Sequence, residues 1–357
     1  MNVNYEKLNA ALKMLKKATT KGNLPCTGYV KLHPSEWGFW IVTNNLDFAL
    51  YTHMDGARNF NIPVCVDFKA LFDAISNKKC DEVYLEINAD QTHLLVTQKT
   101  RTVKLEIKQD EFPETPPVTD LEHQIGFALT KAQWAEIQKS VIPFAATDDT
   151  RPVLAGVLFE FGEDGLHLAA ADGFQLGTYY APFGQQNGVN YVVPAKALKV
   201  IPSNVALDVV AYGDGRAAFG FRDGKNLYRL ISRTIDGHFP DFRQIIPDDV
   251  EVTLKVHTDV IHEASKLPLD NGMLKFFDTR AEGSIVDQGV YEWNGHSVRL
   301  TGGESAAFNS KLLKNFIHLA DKSDDMLTMS AYSSKHAWRA TKGNSTAVLM
   351  PMVIGDK

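Results

Sequence analysis

The sequence predicts an α+β protein of three tandem related domains, each with two helices packed on antiparallel sheet. Three observations carry that prediction. The chain repeats itself at one offset: Val66, Lys69, Ala70 and Leu71 return as Val193, Lys196, Ala197 and Leu198, Phe112-Pro113 as Phe239-Pro240, and Pro25 as Pro152, always 127 positions later. A fainter third copy of the helix signal stands at Lys311-Leu312-Leu313. Finally, 357 residues at 44% hydrophobic and 22% charged suffice for three units of ordinary domain size, each burying its own core. The expected boundaries are 1–119, 120–248 and 249–357.

In the first unit, Leu8, Ala11, Leu12 and Leu15 follow the i, i+3, i+4, i+7 spacing of one buried stripe, which predicts a helix over 5–20 that Gly22 and Pro25 end. Strands follow over 29–32 and 38–54, the latter turning near Asn44-Asn45. A second helix over 67–77 starts at the N-cap Asp67 and turns Leu71, Phe72 and Ile75 inward. Alternation of apolar and polar residues over 83–87, 93–97 and 102–107 predicts half-buried antiparallel strands. A proline-rich connector covers 111–118.

The second unit repeats the order. A strand over 125–129 leads to a helix over 131–141 carrying Trp134, Ile137 and Val141 inward. Strands over 153–161 and 165–180 meet at Asp164-Gly165, a second helix covers 195–201, and strands over 207–212, 216–222 and 227–233 turn at Asp214-Gly215 and Asp223-Gly224. The third unit opens with a strand over 252–257 and a short helix over 258–266. Hairpins follow, one turning at Asn294-Gly295, then a helix over 310–320 and strands over 326–330, 336–340 and 347–354.

The pattern excludes several classes. There is no H-E-x-x-H, Walker loop or G-x-S-x-G. Gly213-Asp214-Gly215 is a hairpin signal, His257 and His262 lack a third ligand, and the pairs Asp148-Asp149 and Asp248-Asp249 fit solvated loops. No catalytic residue, metal or cofactor is expected. Cys26, Cys65 and Cys80 are odd in number and widely spaced, as reduced cytosolic thiols are. No signal peptide is visible, and the longest apolar run, 347–354, is too short for a bilayer, so the expectation is a cytoplasmic protein without a membrane partner.

A net charge of −6 argues weakly against nucleic-acid binding, but distribution matters more than the sum. Basic residues recur where helices are expected: Lys13, Lys16, Lys17, Lys21 and Lys69, then Lys131, Lys139, Lys196 and Lys199, then Lys266, Lys311 and Lys314. Units packed side by side would gather them on one surface suited to loose, sequence-independent phosphate contact.

The run Ile142-Pro143-Phe144-Ala145-Ala146-Thr147-Asp148-Asp149-Thr150-Arg151-Pro152-Val153-Leu154 closely resembles the middle domain of the bacterial β sliding clamp, the β subunit of DNA polymerase III. So do Ala170-Ala171-Asp172-Gly173-Phe174-Gln175-Leu176, Val193-Pro194-Ala195-Lys196 and Ile235-Asp236-Gly237-His238-Phe239-Pro240-Asp241-Phe242, while Phe308-Asn309-Ser310-Lys311 and Val348-Leu349-Met350-Pro351-Met352 fit the family's last domain. The resemblance implies a non-catalytic processivity factor: a head-to-tail homodimeric ring encircling double-stranded DNA. It would tether the replicative polymerase, clamp loader and other clamp-motif proteins. The DNA-facing set it implies is Lys13, Lys16, Lys17, Lys21, Lys69, Lys131, Lys139, Arg151, Lys196, Lys199, Lys311 and Lys314.

The resemblance also implies an apolar cleft for partner peptides between the second and third domains. Its residues here would be Leu154, Ala171, Gly173, Phe174, Gln175, Leu176, Pro240, Gln244, Ile245, Val348, Leu349, Met350, Pro351 and Met352. Phe174 and Gln175 replace the family's usual His and Arg, and Val353 its usual Arg, so a more apolar peptide preference is expected. The tail 354–357 would reach across the cleft. Leu267, Leu269 and Met273 against the 102–107 edge are the expected dimer contact. Divergence over 258–300 motivates a competing reading, a monomeric peptide-binding adaptor that does not close a ring.

Overall fold

The computed structural model of the chain describes all residues except 1, 21–23, 57–61, 76–79, 109–111, 114–126, 149, 183–189, 213–214, 267–272, 277–289, 294–295, 302–305 and 354–357. Three successive element series appear. The first is β1 (Asn2–Asn4), α1 (Tyr5–Leu15), β2 (Tyr29–Ser35), β3 (Gly38–Asn44), β4 (Phe48–Asp55), β5 (Val64–Asp67), α2 (Phe68–Ala74), β6 (Glu82–Ile87), β7 (His93–Gln98) and β8 (Arg101–Glu106). The second is β9 (Phe127–Leu129), α3 (Lys131–Ser140), β10 (Gly156–Phe161), β11 (Gly165–Ala171), β12 (Gln175–Pro182), β13 (Tyr191–Pro194), α4 (Ala195–Leu198), β14 (Leu207–Tyr212), β15 (Arg216–Asp223) and β16 (Asn226–Arg233). The third is β17 (Val252–His257), α5 (Thr258–Ala264), β18 (Met273–Phe276), β19 (Val290–Trp293), β20 (His296–Thr301), β21 (Ala306–Asn309), α6 (Ser310–Leu313), β22 (Met326–Ala331), β23 (Trp338–Lys342) and β24 (Ser345–Leu349).

The offset of 127 residues persists in the backbone. Strands β2, β3, β4 and β5 begin at 29, 38, 48 and 64, and β10, β11, β12 and β13 at 156, 165, 175 and 191. Even strain recurs: Gly38 and Gly165 hold φ of +151° and +156°, and a Cβ there would collide with the carbonyl oxygens of Met54 and Ala181 respectively. Only glycine lets the strands approach this closely.

Two compact units result, and the second series is shared between them. One unit comprises 1–134 and 196–234, the other 135–195 and 235–357. The first unit holds a four-stranded sheet, β1-β6-β7-β8, and an eight-stranded sheet, β5-β2-β3-β4-β16-β15-β14-β9. The second holds a ten-stranded sheet, β13-β10-β11-β12-β24-β23-β22-β17-β20-β19, and the pair β18-β21. Each large sheet is seamed where strands from different series pair antiparallel. Ala49 faces Ile231 across β4–β16, and Leu176 faces Val348 across β12–β24.

Caps set where helices begin. The side chains of Asn4, Asp67 and Asn309 accept from Lys7 N (2.9 Å), Ala70 N (2.7 Å) and Lys311 N (3.0 Å). The helix expected over 195–201 shrinks to the single turn α4. Pro194 offers no capping oxygen, and Pro202 disfavours helix in the residue before it. The helix expected over 310–320 is α6 followed by a 3₁₀ segment, Lys314–Leu319. Trp134, Ile137 and Val141 are fully buried, as the helical spacing requires. The turns at Asp214-Gly215 and Asn294-Gly295, Leu267 and Leu269, and the tail 354–357 fall wholly or partly outside the described residues.

Candidate functional site

The cleft residues lie in the second unit, around the β12–β24 seam. The turn from β11 to β12 is organised by Asp172. Its carboxylate accepts from Phe174 N (2.8 Å), Gln175 N (2.9 Å) and Gln175 Nε2 (2.9 Å). Gly173 sits at φ +95°, where a Cβ would come within 2.6 Å of Arg151 Nη2. That guanidinium donates to Asp172 O at 3.0 Å. Arg151, expected to face DNA, is thus exposed yet engaged with the cleft turn.

Side-chain alternation then divides the expected residues between two faces. Leu176 and Val348 join Leu158, Ala169, Val192 and Phe242 in one buried cluster, with Val153, Ala171, Ile235, Phe239, Ile246 and Ala337 packed half-buried around it. This is the floor. Gln175 and its register partner Leu349 are buried, outside that cluster. Gln175 Oε1 accepts from Asn315 Nδ2 at 3.1 Å, so this side chain ties the turn to the 3₁₀ segment instead of standing on the rim. Leu154 is buried too.

The rim is apolar and exposed: Phe174 is 64% accessible, Ile245 49% and Met350 45%. Met350 N donates to Phe174 O at 2.8 Å, which holds these two residues side by side. Pro240 and Gln244 are exposed, while Pro351 and Met352 are half-buried. Met352 N donates to Ala307 O at 2.8 Å and pins the segment after β24. Phe239 and Phe242 were missing from the expected set, although they lie in the quoted 235–242 motif. The signal was their apolar character at i, i+3 in an otherwise polar turn.

In the first unit, Lys13, Lys16, Lys17, Lys69, Lys131, Lys196 and Lys199 are all exposed. Contacts gather their helices. Lys17 Nζ donates to Val200 O (3.0 Å), Trp134 Nε1 to Pro202 O (2.9 Å), and Lys16 Nζ lies 5.7 Å from the centre of the Phe72 ring. The ends of α1 and α2, the start of α3 and the turn after α4 are therefore neighbours. Two charges are partly neutralised: Lys69 pairs with Asp73 at 2.9 Å and Lys196 with Asp47 at 2.8 Å. In the second unit Lys139, Lys311 and Lys314 are exposed. Lys21 lies outside the described residues.

Among the described residues no group of His, Cys, Asp and Glu could hold a metal, the three cysteines are free, and no helix is long and apolar enough to cross a membrane. One polar chain resembles a hydrolase relay: Ser35 Oγ lies 2.8 Å from His53 Nε2, and His53 Nδ1 3.3 Å from Asp55 Oδ1. Lys7 also holds Asp55 at 2.6 Å, which lowers the carboxyl pKa and makes this group part of a surface ion pair.

Three series of helices and antiparallel sheet make an α+β fold, with exposed lysines near the helix ends of one unit and exposed apolar side chains beside a buried apolar cluster in the other. Residues 129–241 match the family described as DNA polymerase III beta subunit, central domain. The beta sliding clamp of Proteus mirabilis is 24% identical over 355 residues, 92% of each chain. Among solved structures, a putative DNA polymerase III beta subunit from Eubacterium rectale superimposes with a TM-score of 0.82 at 16% identity, covering 98% of both chains. The Helicobacter pylori beta clamp bound to DNA ligase peptide gives 0.74 at 16% identity, covering 99% of both. Over nearly its whole length the chain is thus similar, at low identity, to bacterial β sliding clamps, and it shares their fold.

Proposed function

We propose that the chain is a DNA sliding clamp, a processivity factor whose homodimeric ring encircles duplex DNA in the cytoplasm. The three domains are 1–119, 120–248 and 249–357. Polymerase, clamp loader and other clamp-motif proteins dock on the cleft at the β12–β24 seam. The observation that carries this reading is that seam: exposed Phe174, Ile245 and Met350 above a buried apolar floor, on a chain aligned with a sliding clamp over 92% of both. The peptide held by the Helicobacter pylori clamp supports a peptide as the occupant. A flexible methionine beside an aromatic ring suits several partner sequences.

The exposed lysines of the first unit supply weak phosphate contact, and topology supplies retention. Tight contacts would hinder sliding, so a net charge of −6 is compatible with this function. Phe174 in place of a histidine, and Gln175 and Val353 in place of arginines, make the preferred peptide more apolar. Ring closure would use β8, which stands at one end of the order β1-β6-β7-β8.

The test is retention on nicked circular DNA. The clamp stays on closed circles at high salt and slides off once they are linearised. Equal loss from both forms would refute encirclement, and a scattering mass of one 39.6 kDa chain would favour the monomeric adaptor.

A further inference from the structure

The repeat that builds the cleft in the second unit builds a counterpart in the first. At the offset of 127, Asn45 takes the place of Asp172, Leu46 of Gly173, Asp47 of Phe174 and Ala49 of Leu176. The atoms follow. Asn45 Oδ1 accepts from Asp47 N (3.2 Å) and Phe48 N (3.0 Å), as Asp172 Oδ1 accepts from Phe174 N and Gln175 N. Arg233 N donates to Asp47 O at 3.0 Å, as Met350 N donates to Phe174 O at 2.8 Å. The floor recurs as a cluster of Val42, Ala49, Tyr51, Ala218 and Ile231, with Phe112 packed beside it where the other cleft has Phe239.

This counterpart holds a half-open pocket of about 200 Å³, whose lining includes the apolar Leu46, Ala49 and Ile231 and the charged Asp47, Arg216 and Arg233. The volume suits one large apolar side chain. Leu46 lies at φ +78°, a left-handed conformation that leucine seldom adopts and that the matching Gly173 reaches without cost. Strain in a turn bordering a cavity is common at binding sites.

Charge names the occupant. Arg216 and Arg233 are direct cross-strand partners, and like charges placed so repel each other. The adjacent carboxylate, Asp47, is drawn to Lys196 at 2.8 Å. No ion pair to either guanidinium is found among the described residues. Two carboxylates supplied from outside would relieve that repulsion through charge-assisted, bidentate hydrogen bonds.

We propose that this second cleft docks an acidic peptide segment of a partner protein, with one large apolar side chain in the cavity and flanking carboxylates on Arg216 and Arg233. A nucleic acid would satisfy the arginines but leave the apolar side empty. The repeat would thus equip one chain with two docking sites of different chemistry, one apolar-rimmed and one cationic. The geometry stands whether or not the chain encircles DNA.

The test uses the full chain and a fluorescein-labelled peptide, Glu-Asp-Leu-Phe-Asp-Glu, with its Lys-for-acid analogue as control. Anisotropy should report saturable micromolar binding that the analogue lacks. Arg216→Glu and Arg233→Glu should each weaken it at least tenfold, Arg233→Gln less, and Phe174→Ala by under twofold. The methyl resonances of Ile231 and Leu46 should shift on titration. No binding, loss of binding with Phe174→Ala but not with the arginine variants, or displacement of the peptide from these methyls by a short DNA duplex would each overturn the proposal. Arg233 is exposed, and unchanged melting of its variants confirms that the fold is intact.

Discussion

Removing the Phe174 ring separates docking from stability. The side chain is 64% accessible, so roughly two-thirds of the ~200 Å² that a phenylalanine can bury, about 130 Å², is available to a partner. At ~25 cal/mol per Å² that area corresponds to at most ~3 kcal/mol of docking free energy. A peptide covers one face of a ring, so about 1–2 kcal/mol is expected, a loss of roughly 5- to 30-fold in affinity for Phe174→Ala. Folding should hardly change, within about 0.5 kcal/mol, because the ring leaves no cavity. Leu176→Ala should behave in the opposite way. Leu176 is fully buried in the floor cluster, and its truncation should cost about 2–4 kcal/mol of stability. Calorimetric titration with a family-consensus pentapeptide, paired with urea denaturation, reads both quantities. Unchanged peptide affinity in Phe174→Ala would refute the assignment of this rim, and a large loss of stability would refute its description as an exposed rim.

Gly165→Ala should destabilise the second unit by about 1–3 kcal/mol, because its Cβ meets the Ala181 carbonyl. Gly343→Ala, at φ +57° with open space around it, should cost only the left-handed penalty of about 1 kcal/mol; equal losses in the two variants by denaturant titration would contradict the close approach. Burial lowers the pKa of His318, whose Nδ1 lies 2.7 Å from Asn315 O. The neutral ring is therefore the folded form, and stability should fall as pH drops below the unfolded value of 6.5 toward the lower folded pKa. Urea midpoints at pH 7 and pH 5.5 should differ less in His318→Gln than in the parent; an identical difference would exclude His318 as the source. Replacing Lys13, Lys131 and Lys199 by alanine should flatten the salt dependence of DNA binding by about 0.9 in log–log slope for each phosphate no longer neutralised. An unchanged slope would remove these lysines from the DNA-facing set.

Much of the fold was legible in the residues. Alternation over 83–87, 93–97 and 102–107 marks β6, β7 and β8 to within a residue or two, and Asp67 signals the start of α2. The 127-residue offset alone implies that whatever surrounds one turn recurs around its twin. The failures have local causes. The 195–201 helix was overlong because apolar spacing says nothing of Pro194 and Pro202 at its ends. Leu349 pairs with Gln175 and so lies on the face opposite Val348, a placement that a run of apolar residues does not reveal.

By itself, then, the sequence determined the repeat and the helix and strand periods, since each is written in the order of the residues. Tertiary structure alone decided that β4 pairs with β16 and β12 with β24, that Gln175 turns inward to Asn315, and that Arg151 braces Asp172. Those choices are pairings between residues tens to hundreds of positions apart. Local periodicity tells a strand which face to bury, but only competition among all the strands for backbone partners and apolar cover selects its neighbour.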